Sequence, residues 1–251
     1  MSGVAVLAGR NLRGFLRSPG LFGSALLFPL VLLFMMLAVL GGLVGAMDGA
    51  GYVHRLAPLV VLSTISFSAS VTAVGFHLDT RGPMFDRIRT TPVRPSAMLA
   101  GRIVADLVRI MLGAAIVTAV AYLPGFRFRQ GWLAALGYGG VVLLVGVLFT
   151  ALAAAAGVAA STPGGAQGFL NAPTIVLFFL STGYLPLTAF PGFVQPVVRA
   201  NPLSFATDAM VGLSYGGPVL VPLLATTLWT VGAGTLAGLL VVRRLRASRL
   251  P

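Results

Sequence analysis

Cysteine, lysine and glutamate are all absent from this 251-residue chain. Each absence removes a class of chemistry. Without cysteine there is no thiol nucleophile and no disulfide. Without lysine there is no Schiff-base amine, and no phosphate-binding loop of the Walker A kind, whose lysine reaches the β- and γ-phosphates. Without glutamate the zinc-hydrolase motif that uses it as general base is excluded. Charge of any kind is scarce: 9% of residues are charged, against about 25% in a soluble globular domain. Hydrophobic residues make up 57% and the mean hydropathy is +0.98. Such a chain cannot cover its surface with polar groups, so the bilayer is its expected solvent.

The charge that is present is one-sided. All 17 basic residues are arginine, and the five acids are Asp48, Asp79, Asp86, Asp106 and Asp208, for a net charge of +12. Nucleic-acid binding would need those arginines on a soluble face. They lie instead at the ends of apolar runs, where cytoplasmic loops concentrate them, so no nucleic acid is expected as a partner.

Along the chain, residues 4–17 read as a short amphipathic helix at the headgroup level. Val4, Ala8, Leu12, Phe15 and Leu16 share one face, and Arg10, Arg13 and Arg17 the other. Six spans follow: about Leu21–Gly45, Leu56–Phe76, Ile103–Pro124, Trp132–Ala160, Phe169–Leu185 and Val219–Val242. The first is too long for a signal-peptide core and is expected to be retained. Gly41 with Gly45 and Gly234 with Gly238 are small-xxx-small pairs suited to helix packing. The second span is rich in hydroxyls, which can bond their own backbone or line a passage. His77–Arg102 is the most polar stretch, and Ser161–Gly168 reads as a tight turn. Residues 186–218 are apolar but punctuated by five prolines, which suggests two short helices, Pro191–Arg199 and Leu203–Leu213, in a re-entrant segment.

The arginines orient the chain. With both termini cytoplasmic, thirteen fall on the cytoplasmic side and four (Arg55, Arg127, Arg129 and Arg199) on the other, as the positive-inside rule requires. Arg102, Asp106 and Arg109 are spaced four and three apart and share one helix face. They read as a charge cluster at the cytoplasmic end of the third span, with Arg109 snorkelling outward.

Two stretches carry more than composition. One is RGPMFDRIRTTPVRPSAMLAGRIVADLVR, from Arg81 to Arg109, and the other is STGYLPLTAFPGFVQPVVRANPLSFATDAM, from Ser181 to Met210. Gly82, Asp86, Arg87, Arg89 and Pro92, then Gly101, Arg102 and Asp106, stand in the first; Gly183, Pro186, Pro191, Asn201 and Pro202 stand in the second. With these motifs in these loops, the chain resembles the ABC-2 type transporter permeases, in particular the daunorubicin-resistance branch. It departs from the pattern at His77, where the family usually has an acid, and at Pro95, where arginine is frequent.

The resemblance covers essentially the whole chain and implies a fold. That fold is an all-α membrane protein of six transmembrane helices, the type V ABC exporter domain, spanning 1–251 as one unit. Residues 1–19 would be the connecting helix, 79–102 the coupling loop, and 186–218 an outer cap that includes Pro186, Pro191, Asn201 and Pro202. It implies partners too: a separate ATP-binding subunit carrying ATP and Mg, and a second permease copy or a paralogue. This chain itself would bind no cofactor. The residues are compatible with a docking element between the second and third spans. Gly82 can start a short helix and Pro92 end it, Phe85 and Ile88 can form its apolar face, and Asp86, Arg87 and Arg89 a polar rim.

The expected function is the permease subunit of an ATP-driven exporter of amphipathic drugs, antibiotics or lipids in the plasma membrane. Ser66, Ser70, Phe178, Phe179 and Thr182 are the expected passage residues. A secondary transporter or channel would usually carry acids at mid-span or an inverted repeat, and neither is evident. An intramembrane serine protease would need a Gly-x-Ser-Gly arrangement that is absent.

Overall fold

A backbone surrounded by hydrocarbon must pair its own N–H and C=O groups. The computed structural model describes residues 19–48, 51–81 and 95–247, and these fold entirely as helices and turns. Five long helices come with three shorter ones: α1 (Pro19–Asp48), α2 (Val53–Arg81), α3 (Pro95–Ala121), α4 (Gly131–Ala159), α5 (Pro163–Phe179), α6 (Gln195–Ala200), α7 (Pro202–Ser214) and α8 (Leu220–Ala247). A single 3-10 turn, Leu187–Ala189, precedes α6.

Helix α2 is the axis of the fold and packs against α1, α3, α4, α5 and α7. Within its apolar stretch 72% of residues are buried, against 17% in α1 and α8, whose faces are left to the surroundings. This burial accounts for the hydroxyls of α2. Ser63 and Thr64 donate to Val60 O at 2.7 and 3.0 Å, Ser66 to Leu62 O, Ser70 to Ser66 O and Thr72 to Ser68 O. Each polar group is therefore satisfied inside its own helix, and the side of α2 it occupies can still close against apolar neighbours.

Among the described residues, five helices are long and apolar enough to cross a membrane: the stretches Leu26–Leu43, Val53–Thr80, Arg102–Ala121, Gly131–Ala159 and Leu220–Arg244. The expected fifth span is where sequence and structure differ. Helix α5 begins at Pro163 rather than Phe169 and ends at Phe179 rather than Leu185. The stretch read as a turn, Ser161–Gly168, is largely its first helical turns. Thr162 caps them by accepting from Gly165 N at 3.0 Å, and Pro163 supplies the fixed φ of a first helical residue. With 17 residues α5 is about 25 Å long, short of the roughly 30 Å of a hydrocarbon core.

The small-residue seams also move. A Cβ at Gly41, Gly234 or Gly238 would meet nothing within 4 Å, so these do not pack the described fold. Close approach occurs instead at Gly157, where α4 lies against α2, and at Gly183, wedged between Leu59 and Thr207.

Candidate transport groove and flanking charge network

Helices α1, α2 and α5 leave a groove between them. Phe28 and Leu32 line it from α1, Ser63, Ser66 and Phe67 from α2, and Asn171, Thr174, Ile175, Phe178 and Phe179 from α5. It is an open groove with about 490 Å³ of empty space, its mouth included. Its hydroxyls and the Asn171 carbonyl oxygen are engaged in the wall. Thr174 donates to Leu170 O at 2.7 Å, the two serines donate to α2 carbonyls, and Ser70 reaches across to Asn171 Oδ1. What remains for an occupant is an apolar, aromatic surface and the Asn171 amide nitrogen. Phe28 and Phe67 meet edge-on at 4.8 Å, and Phe178 and Phe179 stand at 5.5 Å with Tyr184 against both.

Of the five expected passage residues, Ser66, Phe178 and Phe179 line this groove. Ser70 fastens Asn171 from one turn away. Thr182 lies elsewhere: its hydroxyl donates to Asp208 Oδ1 at 2.8 Å and its N–H to Ser204 Oγ at 3.1 Å. Sequence reasoning missed Phe28, Phe67 and Asn171, because no spacing within one helix shows which faces of three helices converge.

Thr182 belongs to the junction that holds α7. Asn201 caps α7 by accepting from Leu203 N at 2.9 Å, with Pro202 as the first helical residue. Its amide donates to Leu177 O and Leu180 O, at 2.6 and 2.7 Å, which takes up carbonyls at the end of α5. Pro186 caps the 3-10 turn, and the Pro191 carbonyl accepts from Val194 N at 2.9 Å. Arg55 lies 4.0 Å from Asp208. The Tyr52 hydroxyl donates to Tyr184 O at 2.9 Å; burial, with Tyr184 beside it, raises this phenol above its usual value and keeps it a donor. Asn201→Ala is expected to cost about 2–4 kcal/mol, since it removes a cap and strands two buried carbonyls. Thermal unfolding of the purified chain checks this, with Asn201→Asp recovering only the capping part.

The cluster of Arg102, Asp106 and Arg109 is present, but Arg109 does not snorkel. Its side chain is 15% exposed and turned into α2, donating to Ser68 Oγ at 2.9 Å, Ser68 O at 3.1 Å and Thr72 Oγ1 at 2.6 Å. It pairs with Asp106 at 2.9 Å. The α2 hydroxyls and the Ser68 carbonyl supply the partners that draw it inward. Arg102 turns the same way, pairing with Asp79 and lying 4.9 Å from the Phe76 ring. The expected docking residues Gly82, Phe85, Asp86, Arg87, Ile88, Arg89 and Pro92 lie outside the described residues, as does the stretch 4–17.

Comparison with known proteins supplies the remaining finding. The family model described as ABC-2 type transporter matches residues 3–215. The chain is 28% identical over 209 residues to the probable doxorubicin resistance ABC transporter permease protein DrrC of Mycobacterium tuberculosis (strain CDC 1551 / Oshkosh), covering 83% of this chain and 75% of that one. It is 30% identical over 207 residues to the daunorubicin resistance ABC transporter permease protein DrrB1 of Streptomyces coeruleorubidus, covering 82% and 73%. The doxorubicin resistance permease protein DrrB of the same Mycobacterium strain is 27% identical over 159 residues, covering 63% and 55%.

Proposed function

The chain belongs to the ABC-2 type transporter family, and from that membership we propose that the α1–α2–α5 groove receives an amphipathic, lipophilic cargo for ATP-driven export. The chain is the permease subunit; ATP and Mg belong to a separate ATP-binding subunit. The observation that carries the proposal is the character of the groove. Its hydroxyls and the Asn171 carbonyl oxygen are already hydrogen-bonded within the wall, and aromatic pairs stand in or beside it. Such a surface favours planar, apolar rings over strongly ionic solutes. The named resistance of the relatives to doxorubicin and daunorubicin points to cargo of that chemistry.

Two further elements complete the reading. A six-span topology with both ends cytoplasmic, in the plasma membrane, agrees with the distribution of arginines, the residues 180–185 completing the crossing that α5 begins. The cytoplasmic loop 79–102 receives the push of the ATP-binding subunit, and residues 186–218 cap the outer end. A second permease copy or paralogue completes the complex.

The test is doxorubicin uptake into inverted vesicles holding the chain with its co-expressed ATP-binding subunit. ATP-dependent accumulation that survives collapse of the proton gradient is expected. Phe67→Ala and Phe178→Ala should each raise the apparent KM about fivefold to tenfold, the loss of one well-packed aromatic contact. Uptake that follows the proton gradient and ignores ATP would sink the exporter reading, and an unchanged KM would remove the groove from it.

A further inference from the structure

Four charges of alternating sign run along the seam between α2 and α3: Asp79, Arg102, Asp106 and Arg109. On α2, Ser68, Thr72, Gly75, Phe76 and Asp79 fall on one face. On α3, Arg102, Asp106 and Arg109 face them across about 10 Å of helix. Arg102 pairs with Asp79 and Arg109 with Asp106, Ser68 and Thr72. Between these two halves Arg102 Nε and Asp106 Oδ2 are buried 4.0 Å apart, and neither has another hydrogen-bond partner. Arg102 lays its guanidinium over Gly75 of α2, where a Cβ would meet it and make it shift.

A buried ion pair stabilises little relative to apolar side chains of the same volume; its best-attested use is to specify register. The α2–α3 seam has that property. Sliding α3 by one turn would carry Asp106 towards Asp79 and set like charges face to face. One-turn slips of packed helices are a known form of conformational switching. These helices are also the two stems of the segment 82–94.

We propose that this ladder is a register lock between α2 and α3, so that displacement of the 82–94 segment moves both helices as one body and reaches the groove wall on α2. Asp79, Arg102, Asp106 and Arg109 are then positioning residues, and Gly75 is the notch that seats Arg102. The lock itself stands on geometry; its role in transmission rests on the exporter reading above.

Because the chain has no cysteine, spin labels at Leu78→Cys and Val104→Cys, both on exposed side chains, report the spacing of α2 and α3 alone. Gly75→Ala and Asp79→Asn perturb the same contact by different chemistry. Gly75→Ala raises helix propensity, so a defect there cannot come from a weakened helix. Both variants should broaden the distance distribution, with a new component displaced by about one helical turn, roughly 5 Å. In vesicles with the ATP-binding subunit, both should lower doxorubicin moved per ATP hydrolysed about tenfold, within the usual range of coupling between sites. Asp79→Glu should restore both readouts. A mere loss of folded protein would lower transport and hydrolysis together and leave their ratio unchanged. Unchanged distance distributions overturn the lock. Broadened distributions with an unchanged ratio overturn its role in transmission. Failure of the unmodified complex to transport with ATP removes the exporter reading, and the distance measurement still decides the lock.

Discussion

Arg109→Leu is expected to destabilise the chain by about 3–5 kcal/mol, because it removes the guanidinium 2.9 Å from the buried Asp106 carboxylate and leaves only Arg102, 4.0 Å away, as counter-charge. The side chain of Asp106 is 6% exposed, so water cannot replace the guanidinium. The substitution also removes the donors to Ser68 Oγ, Ser68 O and Thr72 Oγ1. The double variant Arg109→Leu/Asp106→Leu should recover most of the loss, since apolar residues can replace a buried pair at little cost. Arg109→Lys should recover less, because one ammonium cannot reproduce the planar fork that reaches Asp106, Ser68 and Thr72 together. Thermal unfolding of the purified chain in bicelles separates these cases. Equal stability of the single and double variants would show that the carboxylate is not the source of the loss.

Gly157→Ala should cost about 2–3 kcal/mol even though alanine is the better helix former. A Cβ there would lie 2.5 Å from Ala73 O, 2.6 Å from Phe76 Cβ and 3.0 Å from His77 N. These are atoms of the backbone, or fixed to it, and they cannot rotate away, so α4 and α2 must separate. Separation would also break the contact between His77 Nδ1 and Gly157 O at 3.2 Å, in which the imidazole N–H donates. Gly140, on the same helix with open space around its missing Cβ, is the control. Gly140→Ala should be neutral or slightly stabilising through propensity alone. Comparable melting temperatures for the two variants would mean that the α2–α4 seam tolerates a methyl group.

The two predictions bear on residues whose type was conspicuous in the sequence and whose role was not. Arg109 was legible as part of a charged helix face through its spacing from Arg102 and Asp106. Its direction was not, because snorkelling and inward pairing use the same spacing. The choice fell inward once the Ser68 and Thr72 hydroxyls of α2 came within reach. His77 stands where the resemblance led to the expectation of an acid, and the structure gives it a contact on Gly157 O. Gly157 has no second glycine four residues away, only Ala153 and Ser161 in an alanine-rich run that marks no one position as a seam, whereas Gly234 and Gly238 pair with each other and face open space.

The sequence by itself determined the solvent of this protein, its helical class and its family. Scarce charge and long apolar runs leave the bilayer as the medium, and hydrocarbon forces the backbone to pair within helices. The motifs around Asp86 and Asn201 were readable in a single chain because they are contiguous. Only the tertiary structure decided which faces meet: the groove of α1, α2 and α5, the notch at Gly75, and the early start of α5 at Pro163. The physical reason is that side-chain spacing reports the face of one helix, while a site depends on the rotation and depth of several. Those are set by close contacts between residues far apart in the chain.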